Sequence, residues 1–216
     1  MVSFDLDGTL ADMNFEEAVW FKGIPKLYAL QKRVPFRRAL AEVGAEYSKL
    51  SSLDVRWYDI RYWFGRLGLE GDTSGLLRAA RHEIRLFPDT LPSLRRLGRR
   101  FPLIIISNAT RDFVDLKLEV DGLGGHFSRT FSGPSDFGCV KGSAGFYAKV
   151  CRRLKLRPSD IAHVGDNYEF DFLAAREAGV EAYYLRRTGK RTGGRTVRSL
   201  KQFADLLLAD GKKKGK

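Results

Sequence analysis

The segment Val2-Ser3-Phe4-Asp5-Leu6-Asp7-Gly8-Thr9-Leu10 drives a short apolar run straight into two acids and a glycine. The run reads as a buried strand, and its abrupt end puts Asp5 and Asp7 at the strand's carboxyl end. Two later segments repeat the arrangement. Leu103-Ile104-Ile105-Ile106 runs into Ser107 and Asn108, and Ile161-Ala162-His163-Val164 runs into Gly165 and Asp166. Helices are expected around 111–120, 143–154 and 169–178, with shorter strands around 129–132 and 181–185. Uninterrupted apolar strands alternating with helices predict an α/β fold with a parallel sheet covered on both faces. Ligands on such sheets bind beyond the carboxyl ends of the strands, where these polar groups are expected to gather.

Residues 13–86 interrupt the alternation with helical spacing: Phe15, Val19, Ile24 and Leu27, then Phe36, Leu40, Val43 and Tyr47. This stretch also holds Trp20, Trp57 and Trp63, and it reads as a compact helical insert. The expected organisation is a core made of 1–12 and 87–210, an insert at 13–86, and a basic disordered tail at 211–216. A chain of 216 residues that is 44% hydrophobic and 30% charged is globular and can bury a core without staples. Cys139 and Cys151 form no C-x-x-C pair, which argues against a zinc or redox motif and for a reducing, cytoplasmic location. No apolar run approaches a bilayer span, so neither a membrane anchor nor a signal peptide is expected. The net charge of +12 suits nucleic acid, an acidic surface or phosphorylated small molecules. Because Lys and Arg are spread along the chain, a nucleic-acid partner is not expected.

Taken in order, Asp5-Leu6-Asp7-Gly8-Thr9-Leu10, Ile106-Ser107-Asn108, Lys141, and Gly165-Asp166-Asn167 with Asp171 resemble the four motifs of the haloacid dehalogenase-like (HAD) hydrolase superfamily. The resemblance spans Phe4 to about Leu185 and is strongest to the C1-capped, phosphoglycolate phosphatase-like branch. It implies a Rossmann-like three-layer core with a parallel sheet and an inserted helical C1 cap at 13–86. Such a cap closes over the site, excludes water and sets substrate choice.

The chemistry can be read beside the resemblance. Phosphoryl transfer to a carboxylate needs a nucleophile, positive charge on the phosphate, and a proton donor for the leaving oxygen. Asp5 is placed as the nucleophile. Asp7, two residues on and past a turn eased by Gly8, is placed as general acid and then as base for water. Converging carboxylates repel unless a cation sits among them, and an all-oxygen site suits Mg2+. By resemblance, Asp5 and Asp166 would give the metal carboxylate oxygens, Asp7 its backbone carbonyl, and Asp171 support. Ser107, Asn108 and Lys141 would bind the phosphate, with Lys141 also neutralising Asp5.

Two features depart from this pattern or widen it. The family lysine is usually followed by proline, whereas this chain has Lys141-Gly142-Ser143, so a more flexible loop is expected, with Lys149 as the fallback. The same fold also hosts 2-haloacid dehalogenases and phosphomutases. Asp7 and Asp166 would be superfluous for halide displacement, which favours phosphate transfer. A basic nucleic-acid-associated protein without catalysis is the different-class alternative. The expected substrate is a small phosphorylated metabolite such as phosphoglycolate, a sugar phosphate or a nucleotide monophosphate. Candidates for choosing it are Trp20, Lys22, Arg33, Arg56, Tyr58, Arg61 and Tyr62, although a solvated or packed helix face is the plainer role for most of them. His163, in the third strand, reads as a core histidine.

Overall fold

The structure, a computed structural model, describes residues 1–143, 145–189 and 193–213. Its sheet is built from β1 (Val2–Phe4), β2 (Leu103–Ser107), β3 (Arg129–Ser132), β4 (Ala162–Gly165), β5 (Glu181–Leu185) and β6 (Thr196–Val197). The order is β3-β2-β1-β4-β5-β6, and every pair is parallel. Phe4 is in register with Ile105 on one side and Val164 on the other. The three polar strand ends therefore leave the middle of the sheet side by side.

Strand alternation splits the core in two. Val2, Phe4, Ile105, Val164 and Leu185 pack on one face with Leu94, Leu97 and Phe203. These come from α6 (Thr90–Gly98) and α10 (Leu200–Lys213). Ile104, Ile106, Phe131 and Ala182 face the other way, against Phe146 and Val150 of α8 (Phe146–Leu154) and Phe172. Phe172 lies in a π-helical stretch, Tyr168–Leu173, that continues into α9 (Ala174–Glu177). Helix–sheet–helix layering follows, as expected. The helix expected from residue 143 starts at Phe146, because Gly145 takes a left-handed conformation at φ 72°. The tail expected from residue 211 is helical backbone as far as Lys213. Residues 214–216 lie outside the described residues.

Between β1 and α6 lie helices only. α1 (Asn14–Glu16) runs through a π-helical stretch, Glu17–Gly23, into α2 (Ile24–Lys32). There follow α3 (Phe36–Tyr47), α4 (Ile60–Leu67) and α5 (Thr73–Ala80). The starts of α4 and α5 are capped by Asp59 and Asp72, whose side chains accept from the backbone N–H of Arg61 and Ser74. Phe15, Val19, Val43, Tyr47, Ile60, Trp63 and Leu77 make an apolar cluster of their own. Phe113 joins it from α7 (Arg111–Leu118), the helix that follows β2. No helix among the described residues is long and apolar enough to cross a membrane.

Candidate active site

Beyond β1 the chain folds back tightly. Gly8 N–H donates to the Ala11 carbonyl at 2.8 Å, and Leu10 N–H to Leu6 at 2.9 Å. Gly8 sits at φ 78°, and a Cβ there would lie 2.2 Å from Asp166 Oδ2. Glycine is therefore demanded twice, by the turn and by the approach of Asp166. Thr9 Oγ1 donates to Asp166 Oδ1 at 3.0 Å, joining this loop to the end of β4. Asp5 is buried, its N–H bonded to Val164 O at 2.9 Å.

Lys141 reaches the same point from the loop before α8. Its Nζ donates to Asp5 Oδ1 at 2.5 Å and Asp171 Oδ1 at 2.6 Å, and its backbone N–H donates to Asn108 Oδ1 at 2.8 Å. Lys149, by contrast, reaches Cys139 and is exposed. Glycine at 142 also has a physical reason: a Cβ there would meet Phe170 at 2.5 Å and Leu53 of the insert at 2.8 Å. Ser107 Oγ accepts from Ala109 N–H at 2.9 Å, closing the turn beyond β2.

Asp171 is held by a buried network. Its Oδ2 accepts from Asn167 N–H at 3.0 Å, and its Oδ1 lies 3.2 Å from His163 Nε2, whose Nδ1 faces Ser3 Oγ at 2.8 Å. His163 is thus buried in the core, as read from sequence, and also supports the acid that anchors Lys141. Burial opposes the charge of Asp171, but Lys141 and His163 outweigh it and hold its carboxyl down at about 2. Burial likewise opposes the Lys141 ammonium, and Asp171 and Asp5 overcome it, so the lysine stays charged. Asp5 is pushed well above the usual carboxylate range by burial, with Asp171, Asp166 and Asp7 adding to the rise against Lys141. Asp166 rises for the same first reason, and then through Asp171.

Asp5, Asp166 and Asp171 each offer a carboxylate oxygen within 4.8 Å of the others. Asp5 and Asp166 both resist ionisation, and the Gly8 notch keeps room for Asp166, so the donor set fits a hard divalent cation. The Asp7 side chain is absent from this group; it turns to Lys117.

A cavity of about 300 Å³ opens over these groups, and Asp5, Asp7, Ser107, Asn108, Lys141 and Asp166 all line it. Its walls are aromatic: Trp20, Phe21, Trp57 and Tyr58 from the insert, with Phe113 and Phe170. Of the sequence candidates for substrate choice, Trp20 and Tyr58 are here, and the Tyr58 hydroxyl accepts from Asn108 Nδ2 at 3.4 Å. Arg33, Arg56, Arg61 and Tyr62 are not among the lining residues. Arg56 pairs with Asp54 at 2.6 Å and lies over the Tyr62 ring, Arg61 pairs with Asp112 at 2.7 Å, and Arg33 is an exposed, left-handed cap of α2. Exposed guanidiniums have carboxylate neighbours on the outer surface, whereas the inward faces of these helices are apolar. Sequence reasoning missed Glu16, Lys117, Phe21, Trp57, Phe113 and Phe170. For Lys117 a signal existed: it falls in the buried stripe Phe113, Val114, Lys117 of an amphipathic helix.

Residues 1–179 match the family model for haloacid dehalogenase-like hydrolases. The chain belongs to that family. It is an enzyme, a phosphoric monoester hydrolase. It is 27% identical over 169 residues to the GMP/IMP nucleotidase YrfG of Escherichia coli, spanning 77% of this chain and 73% of that protein. In fold it is similar to a HAD phosphatase from Thermococcus onnurineus, with a TM-score of 0.84 at 22% identity over 95% of this chain and 96% of that one. A 2-haloacid dehalogenase from Pseudomonas syringae superimposes with a TM-score of 0.65 at 23% identity, over 96% and 97% of the two chains.

Proposed function

We propose that this protein is a cytoplasmic, Mg2+-dependent phosphatase that hydrolyses a small phosphomonoester through an aspartyl-phosphate on Asp5, with residues 13–86 as its cap. The observation that carries the reading is Asp5 lying 2.5 Å from Lys141 Nζ at the floor of a cavity also lined by Asp7, Ser107, Asn108 and Asp166. Asp5 Oδ attacks phosphorus and the bond to the ester oxygen breaks, while Asp7 gives its proton to that oxygen. Water then attacks the phosphorus, its proton passes to Asp7, and the bond to Asp5 breaks. Ser107 and Asn108 orient the phosphoryl oxygens, and Lys141 offsets their charge. Asp5, Asp166 and the Asp7 carbonyl would hold Mg2+, which supplies further charge neutralisation, with Asp171 securing Lys141 beside them.

The leaving group is a nucleoside. Six aromatic side chains wall the cavity and suit a flat ring, and a relative bears the name of a GMP/IMP nucleotidase. Asp7 and Asp166 weigh against halide displacement. A panel of nucleoside monophosphates, sugar phosphates, phosphoglycolate and 2-haloacids, assayed with Mg2+ and with EDTA, tests the reading. Phosphate release from nucleoside monophosphates that EDTA abolishes is expected. Halide release, or full activity in EDTA, would refute it.

A further inference from the structure

Lys117 has no counterpart among the four motifs, yet its charge is fully enclosed beside the site. Its side chain is 0% exposed and lies against the rings of Phe15 and Phe113, 5.1 and 5.7 Å from their centroids. Its Nζ donates to two carboxylates at once, Asp7 Oδ1 and Glu16 Oε1. The three residues come from different parts of the chain: the loop beyond β1, the first helix of the insert, and α7. Glu16 Oε2 is buried with no hydrogen-bond partner, and both Glu16 and Asp7 line the cavity.

Burying an ammonium is costly, and a hydrocarbon side chain would pack as well between two phenyl rings. What a hydrocarbon could not do is hold one oxygen of Asp7. Among the described residues Lys117 is the one hydrogen-bond donor to the Asp7 carboxylate, so it sets the rotamer that faces the cavity. A general acid acts only from the right position, and a carboxylate on a loop carries no positional constraint of its own. Burial opposes the Lys117 charge, but Asp7 and Glu16 outweigh it and keep the lysine cationic.

We propose that Lys117 is the positioning residue of Asp7, and that Glu16 makes this positioning depend on the seating of the insert. This rests on Asp7 being the acid and base of the proposed reaction. If the first insert helix moves off, Glu16 leaves with it and Lys117 is left with Asp7 alone. The insert and the proton donor are then set together.

The test uses leaving groups that differ in their need for a proton. For a nucleoside 5′-monophosphate, Lys117→Met is expected to lower kcat roughly ten- to a hundredfold with little change in KM, within the range that general acid catalysis supplies. The burst of dinitrophenolate from 2,4-dinitrophenyl phosphate, whose leaving group needs no proton, should fall less than about threefold. In an Asp7→Asn background, Lys117→Met should add almost nothing, because it acts through Asp7. Glu16→Gln should give a smaller loss of the same kind. Should Lys117→Met not fold, Lys117→Met/Glu16→Gln removes both buried charges and is read in the same way. Equal losses on the two leaving groups, or a loss that adds fully to that of Asp7→Asn, would overturn the proposal. If Asp7→Asn itself lost no more on the nucleotide than on the aryl ester, the underlying acid reading would fall, and the proposal with it.

Discussion

Asp5 is a carboxylate held where its charge is least welcome. Burial opposes it first, three neighbouring aspartates add to that, and Lys141 is its compensation. Such a group costs stability, a cost consistent with the nucleophile proposed here. Asp5→Asn retains size and hydrogen bonding while removing the attacking charge. Turnover should fall by roughly a thousandfold or more, while thermal unfolding shifts by less than the equivalent of about 1 kcal/mol. Phosphate release and a calorimetric scan of both proteins check the two halves. A variant that turned over at a comparable rate would end the covalent mechanism. Gly142 makes a complementary point at this scale. Where the family has a proline this chain has glycine, and the structure packs Phe170 and Leu53 where any side chain would stand.

Among the elements, the first helix of the insert carries the most consequence, because Glu16 lies in it beside the floor of the cavity. Burial first, and then Asp7, raises the Glu16 carboxyl from 4.5 to about 7 against the pull of Lys117. The folded state therefore binds a proton more readily than the unfolded chain between those values. Stability from this group is complete below about pH 4.5 and declines as pH rises toward about 7. The change is on the order of 3 kcal/mol at about 1.36 kcal/mol per unit. Glu16→Gln cannot ionise and should flatten that slope, measured as denaturant unfolding at pH 5 and pH 7.5. An undiminished slope would mean that Glu16 is already charged at the lower pH. The same helix shows why element boundaries were the weakest sequence expectation. Apolar spacing located helical turns at Phe15, Val19 and Ile24, but a π-helical stretch from Glu17 to Gly23 runs between them, and spacing alone does not reveal it.

Across the whole molecule, the cavity takes its floor from the sheet and much of its wall from the insert. Residues on these two sides should therefore govern different quantities. Trp57→Ala should raise KM for nucleoside monophosphates roughly tenfold, since stacking on an aromatic ring is worth about 1 to 3 kcal/mol. A small aliphatic phosphate that leaves the aromatic wall untouched should change little. Arg61→Ala, which removes a surface pair with Asp112 reaching from α4 to α7, should alter stability by less than about 1 kcal/mol. It should also leave the order of substrates as it was. A reordering by Arg61→Ala with none by Trp57→Ala would move specificity from the aromatic wall to the outer rim. The charge of +12 acts at longer range, drawing anionic substrates to either side alike and weakening with salt.

What the sequence by itself determined is the architecture and the floor of the site. Apolar strands that stop at Asp5, Ser107 and Asp166 are contiguous signals, and parallel pairing carries their ends to one place whatever the surrounding details. Helical spacing from Phe15 to Tyr47 was likewise enough to mark helices between the first two strands. Tertiary structure alone decided which side chains of that insert face the cavity. Arg56 and Arg61 looked the equals of Trp20 and Tyr58 in sequence, and only packing turned the arginines to surface carboxylates and the rings inward. It also decided the partner of Asp7. Lys117 lies 110 residues away along the chain, and although its place in the apolar stripe of α7 marks it as buried, its partners are seen only when α7 is laid against the first turn of the insert. Contacts between distant segments leave no periodic trace in either one, so a buried charge becomes visible only when the groups that compensate it are seen together.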